Sequence, residues 1–200
     1  MVSDIAFYST IFSSSLLVWV FLGMTFSYTN KRAGQRYALN KKAAPTINSF
    51  AVLSKVLFVF SMIFTLLSYW LSFLPLLSWH DSHFLQLLGS WFVLLGYWGL
   101  NYAFRELGEN YSPLFDAYTP HQIIRSGVYR HIRHPIYAFN LFVSFGLAIS
   151  SGSILVLCSA LIGLHFILRA MTMEETHLQQ EFAEYSSYCQ KSYRLIPFIY

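Results

Sequence analysis

The stretch from Ile136 to Leu168 reads IYAFNLFVSFGLAISSGSILVLCSALIGLHFIL, and it decides the fold. A membrane-spanning helix needs about 20 predominantly apolar residues. This stretch has 33 residues, which is too many for one crossing and few for two. Residues 150–153, SSGS, supply the glycine and serine that are typical of a turn. We therefore predict a tight helical hairpin within a membrane.

The composition of the whole chain also indicates a membrane protein. Of its 200 residues, 56% are hydrophobic and 11% are charged, whereas soluble domains average about 45–50% and about 25%. Apolar segments at about 5–28, 51–74 and 84–104 are each long enough to cross a bilayer. We predict an all-α integral membrane protein with about five transmembrane helices. The first segment lacks the flanks of a signal peptide, so we interpret it as a retained span.

The distribution of positive charge predicts the orientation of these spans. The lysines and arginines fall in 30–49, 105–135 and 169–200, apart from Lys55 at the adjoining end of the second span. All thirteen then lie on one side, which the positive-inside bias identifies as cytoplasmic. We predict the N-terminus outside and the C-terminus in the cytoplasm, in a bacterial inner membrane or the endoplasmic reticulum. The net charge of +4 reflects this bias rather than a nucleic-acid partner.

The densest cationic cluster, SGVYRHIRHPIY at 126–137, lies directly before the hairpin. Its pattern Gly127-x-Tyr129-x-x-x-Arg133-His134-Pro135-x-Tyr137 resembles the signature of the isoprenylcysteine carboxyl methyltransferase family and its phospholipid methyltransferase relatives. HQIIRSGVY at 121–129 is similar to the segment upstream of that signature, and the pair Glu174-Glu175 is similar to the glutamates after the last span. The resemblance covers about 105–200. It divides the chain into three spans with a basic loop (1–104) and a methyltransferase region of cofactor loop, hairpin and cytoplasmic tail (105–200).

The resemblance implies S-adenosylmethionine as cofactor and a lipidic or prenylated molecule or protein as acceptor. Arg169, as the counterpart of a substrate-binding arginine, and Glu174 would be catalytic. The cofactor-binding set implied is His121, Gln122, Ile123, Ile124, Gly127, Tyr129, Arg133, His134, Pro135, Ile136, Tyr137, Glu174 and Glu175. One departure is Phe139, which stands where family members usually carry glycine.

The chemistry of these residue types agrees with that expectation. Arginine or histidine can hold the carboxylate of the cofactor, and glutamate suits its ammonium or its ribose diol. Tyrosine rings can face the sulfonium. Pro135 stands where a helix would begin, so N–H groups of that helix could face an anion. Methyl transfer is a direct displacement, for which the protein mainly aligns the reactants.

Other interpretations stay open at the level of the sequence. The cationic cluster and His134 could simply contact anionic headgroups, and Tyr129 and Tyr137 could belong to an interfacial aromatic belt. The ending YRLIPFIY is similar to that of NADPH-dependent membrane sterol and steroid reductases, and a phospholipid amine is a second possible methyl acceptor. The seven histidines are scattered, so we predict no metal site. We favour carboxyl methylation of an isoprenylcysteine-like substrate.

Overall fold

A computed structural model describes residues 82–110 and 122–199, together with residues 56, 60, 63, 67, 79 and 120. Four α-helices form the body of this part: α1 His83–Leu107, α2 Pro135–Ser151, α3 Ile154–Glu181 and α4 Tyr185–Lys191. Two short 3-10 helices, Gly108–Asn110 and Gly127–Arg130, lie between α1 and α2. The described ranges contain no named strand, only one isolated parallel bridge between Ile132 and Tyr193. The prediction of a helical protein is confirmed for this part of the chain.

Helix α1 contains the third apolar segment that the sequence predicted. Ser82 is its N-cap, and its hydroxyl accepts a hydrogen bond from the Leu85 amide. Buried positions recur along one face, with Val93 and Tyr97 at its centre and Ala103 near its end. The opposite face carries exposed aromatic side chains such as those of Trp91 and Trp98. The predicted segments 5–28 and 51–74 lie outside the described residues, except for the helical positions 56, 60, 63 and 67.

The predicted hairpin is confirmed, and Gly152 makes its turn. Gly152 has φ 61°, in the left-handed region where a residue without Cβ carries no steric penalty. Its amide donates to Ile149, which closes the end of α2, and α3 begins two residues later. In the described residues, α3 alone is long and apolar enough to cross a membrane by length and composition; α2 is apolar but has 17 residues. The predicted number of crossings and their orientation stay predictions.

Helices α1 and α2 approach so closely that their backbones touch. A Cβ added at Gly89 would lie 2.4 Å from the amide nitrogen of Ser150 and 2.6 Å from the carbonyl oxygen of Gly146. Small residues allow this approach, as in many helix pairs within membranes. Nearer the other end, a Cβ at Gly99 would lie 2.3 Å from the ring of Phe139. Gly99 therefore makes the room that the unusual Phe139 needs.

Two clusters of buried side chains hold the helices together. The first joins α1, the hairpin and its turn, and consists of Val93, Tyr97, Val143, Leu147, Ala148 and Val156. The second lies at the opposite end of the hairpin and consists of Ile132, Ala138, Met171 and Leu195. Because the second cluster draws one member each from the loop, α2, α3 and the tail, it fixes these four segments around one point.

Candidate active site

The loop ahead of α2 is held by α1 on one side. Ser126 donates a hydrogen bond of 2.8 Å to the Glu106 carboxylate near the end of α1. Gly127 follows with φ 52°, and a Cβ added there would lie 2.5 Å from the carboxyl carbon of Glu106. A side chain at position 127 would therefore be strained in its backbone and would also collide with the glutamate. The signature glycine brings the loop against α1.

The tail holds the same loop from the other side, mainly through the backbone. The Arg133 amide donates to the Tyr193 carbonyl at 2.8 Å, and the Tyr193 amide donates to the His131 carbonyl at 2.9 Å. The His134 amide donates to the Arg194 carbonyl at 3.1 Å. These three bonds set the tail alongside the residues that precede α2.

Tyrosines of α4 complete the attachment of the tail. The Tyr188 hydroxyl donates to the Tyr129 carbonyl, and both tyrosines are buried. Arg125 pairs with Glu184 at 3.1 Å and also lies 5.8 Å from the centre of the Tyr188 ring. Tyr185 and Tyr188 pack inward, and the chain leaves α3 at Phe182, where the backbone is extended.

Arg133 and Glu175 form the central ion pair of the site. The Arg133 Nε lies 2.8 Å from Glu175 Oε1, and the two side chains are 11% and 14% exposed. The guanidinium also donates to the carbonyls of Cys189 and Ser192 in the tail. The resemblance assigned Arg133, His134 and the paired glutamates to one cofactor-binding set, and the structure brings these residues into contact.

His134 lies between the two glutamates and is almost fully buried. Its Nε2 is 3.1 Å from Glu175 Oε1, and its Nδ1 is 3.8 Å from Glu174 Oε2. Tyr137, in the first turn of α2, donates a hydrogen bond of 3.0 Å to the same Glu174 oxygen. The imidazole and the Tyr137 ring are 5.5 Å apart. The Glu174 side chain is 46% exposed, so its carboxylate is the acidic group of this cluster that is accessible to solvent.

Arg194 belongs to the cluster although sequence reasoning did not select it. Its Nε lies 3.1 Å from Glu175 Oε2, and its NH2 group donates to the Thr172 hydroxyl at 2.8 Å. The only signal was a lone arginine within YRLIPFIY, a segment that we considered for its likeness to reductases. A single cation far along the chain has no periodicity that would reveal its partner.

The charges around Glu175 determine its ionisation. Glu175 lies beyond Leu168, where the apolar part of α3 ends. Burial by itself would raise the pKa of Glu175, but hydrogen bonds from His134 and Arg133 outweigh it and lower that pKa to about 2. Burial opposes the charged form of Arg133 as well, yet its hydrogen bond with Glu175 leaves the pKa of Arg133 raised. The site therefore holds a permanently ionised pair at neutral pH.

Arg169 lies apart from this cluster. It is exposed, and it precedes Glu174 by five residues, which is about 140° around a helix. The face of α3 that carries Ala170, Met171 and Glu174 packs toward the loop, whereas Arg169 points away from that face. Its role in binding an acceptor stays a prediction that the geometry of the cluster does not support.

The other predicted residues precede α2 in the chain or begin it. Gln122 is exposed, and its backbone N–H donates a hydrogen bond to the side-chain oxygen of Asn110. Ile123 and Ile124 are half-buried. His121 lies outside the described residues. Pro135 is the first residue of α2, and the N–H groups of the first turn point out of the helix end beside His134.

This arrangement can bind a polar ligand that carries both a positive and a negative group. The Glu174 carboxylate can pair with an ammonium or a diol, and the start of α2 favours an anion. The Tyr137 ring lies beside both. The described residues contain no group of three side chains that could hold a metal ion.

Comparisons with known proteins identify a family of methyltransferases. The sequence profile of the phospholipid methyltransferase family matches residues 82–185, just over half of the chain. A solved structure of the eukaryotic intramembrane Ras methyltransferase ICMT, isoprenylcysteine carboxyl methyltransferase, is similar, with 25% identity and a TM-score of 0.54. The similarity covers 76% of this chain and 55% of that one, so the present chain spans little more than half its length. A comparison with curated protein sequences gives no match.

Proposed function

The chain belongs to the phospholipid methyltransferase family and is a membrane methyltransferase, and from this we propose that it transfers a methyl group from S-adenosylmethionine to a lipidic or prenylated acceptor. The observation that carries the proposal is the joining of the loop before α2 to the polar end of α3, which leaves Glu174 exposed beside Tyr137 and His134. The family match favours this reading over the NADPH-dependent reductase that the ending of the sequence allowed.

The described residues fit S-adenosylmethionine. Glu174 offers a carboxylate for the ammonium or the ribose diol, and the first turn of α2 offers N–H groups for the carboxylate. The Tyr137 ring, 5.5 Å from that of His134, offers an aromatic surface for the cationic sulfonium. When bound, the cofactor supplies an activated methyl group on sulfur. Arg133 and Glu175 keep the loop and α3 in register, so that these binding groups face the same ligand.

We propose an isoprenylcysteine-like carboxylate as the acceptor. This follows the resemblance of the signature and the likeness to a carboxyl methyltransferase of known structure. A carboxylate is already ionised at neutral pH, so no residue has to remove a proton before the oxygen takes the methyl group. The protein then has to orient the acceptor, exclude water and hold the two reactants in line.

A phospholipid amine is the second candidate, favoured by the family profile that matches residues 82–185. An amine must lose a proton before or during transfer. Glu174 is the carboxylate in the described cluster that is exposed enough to accept one, and His134 lies behind it at 3.8 Å. The two candidates therefore differ in whether Glu174 handles a proton besides binding the cofactor.

The test is to incubate the purified full chain in detergent with methyl-labelled S-adenosylmethionine and a membrane lipid extract. Label released as methanol by base identifies a methyl ester, whereas base-stable label in a phospholipid identifies an N-methyl group. Glu174→Ala should lower the labelling. Lys191→Ala, which changes an exposed residue of α4, is the matched control and should label like wild type. Absence of labelled lipid with the complete extract and with a prenylcysteine probe would contradict both candidates.

A further inference from the structure

Both carboxylate oxygens of Glu175 contact basic groups of this chain. Its Oε1 contacts Arg133 at 2.8 Å and His134 at 3.1 Å, and its Oε2 contacts Arg194 at 3.1 Å. The side chain is 14% exposed, against 46% for the neighbouring Glu174. The two adjacent glutamates therefore differ in what they can do, since Glu175 is mostly buried among basic groups of this chain and the Glu174 carboxylate is accessible to solvent.

Arg194 comes to this carboxylate from the distant end of the chain. The preceding residue, Tyr193, is joined to the loop through both its amide and its carbonyl, and the Arg194 carbonyl accepts from the His134 amide. The Arg194 guanidinium also donates a hydrogen bond to the Thr172 hydroxyl on α3. The orientation of the Arg194 side chain is thus fixed by the backbone bonds of the tail and by its bond to Thr172, and a residue that positions another group needs such a fixed orientation.

His134 receives its orientation from Glu175. An ionised carboxylate only accepts hydrogen bonds, so the His134 Nε2 at 3.1 Å must carry a proton, whatever the charge of the ring. With Nε2 fixed in this way, Nδ1 faces Glu174. Arg194, Glu175, His134 and Glu174 follow one another in space, leading from the docked tail to the solvent-accessible carboxylate of Glu174.

We propose that Glu175 and Arg194 are positioning residues that act through His134 to present Glu174 and the start of α2 to the cofactor. The inference rests on the proposed function, because it takes S-adenosylmethionine as the ligand. It assigns Glu175 a role different from direct binding, and it gives Arg194 a role that depends on the docked tail. A merely structural ion pair would stabilise the fold without changing how His134 and the ligand interact.

The binding test is a double-mutant cycle on the full chain in detergent, with S-adenosylmethionine as the titrant. Arg194→Ala and His134→Ala should each weaken binding about tenfold, and the double variant should be no more than about threefold weaker than His134→Ala alone. Independent effects would instead multiply to about a hundredfold, and that result would overturn the proposal. Lys191→Ala is the matched control, since it removes an exposed cation three residues away.

Arg194→Lys provides the second variant for the cycle. Lysine keeps the positive charge but cannot contact Glu175 and Thr172 together, so its affinity should lie between those of wild type and Arg194→Ala. If Arg194→Ala does not fold, the cycle with His134→Ala is run on Arg194→Lys and must show the same non-additivity. Wild-type affinity in Arg194→Lys together with an unfolded Arg194→Ala would show a purely structural role.

A second readout uses the protein without cofactor. The ¹⁵N spectrum of the imidazoles, with His134 assigned from His134→Ala, should show a protonated Nε2 in the wild type. Glu175→Gln should convert this signal to a mixture of tautomers, and Arg194→Ala should move it in the same direction, while Lys191→Ala leaves it in place. An unmoved signal in Glu175→Gln and Arg194→Ala overturns the positioning role. If instead the wild type shows no affinity for S-adenosylmethionine but the signal moves, the proposed function fails and the positioning geometry stands.

Discussion

Replacing Glu175 by glutamine removes the negative charge from the centre of the cluster while keeping the shape of the side chain. Arg133 and Arg194 would then lie mostly buried without their shared counter-charge, at 11% and 17% exposure. Removing one partner of a buried ion pair typically costs about 3–5 kcal/mol. Because Glu175 is still 14% exposed, we expect the lower end, about 3 kcal/mol.

The matched control for this change is Glu174→Gln. Glu174 contacts Tyr137 and His134, but its side chain is 46% exposed, so solvent can replace these contacts. We expect a loss below about 1 kcal/mol. For a chain of this size, 1 kcal/mol corresponds to about 2–4 °C in Tm, which gives about 6–12 °C for Glu175→Gln and less than about 4 °C for Glu174→Gln.

The assay is thermal unfolding of the detergent-solubilised full chain. Unfolding is monitored by circular dichroism and by a fluorescent dye that does not react with cysteine. Both variants are compared with wild type in the same detergent, without cofactor, so that ligand binding does not contribute. Equal shifts for the two glutamine variants, or a shift below about 2 °C for Glu175→Gln, would refute the conclusion that Glu175 is the buried centre of the cluster.

Three further predictions concern pH, the loop and the helix pair. The folded-state pKa of Glu175 is about 2 against a usual 4.5, so the stability that its ionised form contributes is complete above about pH 4.5 and is lost as pH falls toward 2. The difference in Tm between wild type and Glu175→Gln should therefore shrink over that range. A constant difference would contradict this prediction. Tyr188→Phe removes the hydroxyl that donates to the Tyr129 carbonyl and should cost about 1 kcal/mol with faster proteolysis of the tail, whereas unchanged proteolysis would show that this bond does not hold the loop. Gly89→Ala would place a methyl group 2.4 Å from the Ser150 amide and should cost about 1–3 kcal/mol, while Gly163→Ala, where nothing lies within 4 Å of the added carbon, should not lower Tm.

The hairpin could be predicted because its signals are local. The length of the apolar stretch and the SSGS turn are properties of adjacent residues, and Gly152 adopts the left-handed conformation that such a turn requires. The meeting of Arg133 with Glu175 was predicted by resemblance, since the two motifs flank one hairpin and a hairpin returns the chain to its starting side. The structure confirms both features.

The different roles of neighbouring residues could not be read from the sequence. Glu174 and Glu175 look equivalent as letters, yet successive positions on a helix differ by about 100°, so one faces three basic groups and the other the open side. Arg169 is likewise turned away from Glu174, by about 140° around α3. Arg194 is found only when the path of the tail is known, because its contacts depend on backbone bonds between the tail and the loop.

The central claim is that the loop before α2 and the polar end of α3 bind one cofactor molecule together. Its most direct test is calorimetric titration of S-adenosylmethionine into wild type, His134→Ala and Glu174→Ala in the same detergent. We predict one site per chain in wild type and at least about tenfold weaker binding in each variant, which is about 1.4 kcal/mol. Binding of equal strength in all three proteins would contradict the claim, because the ligand would then be held somewhere other than between these two segments.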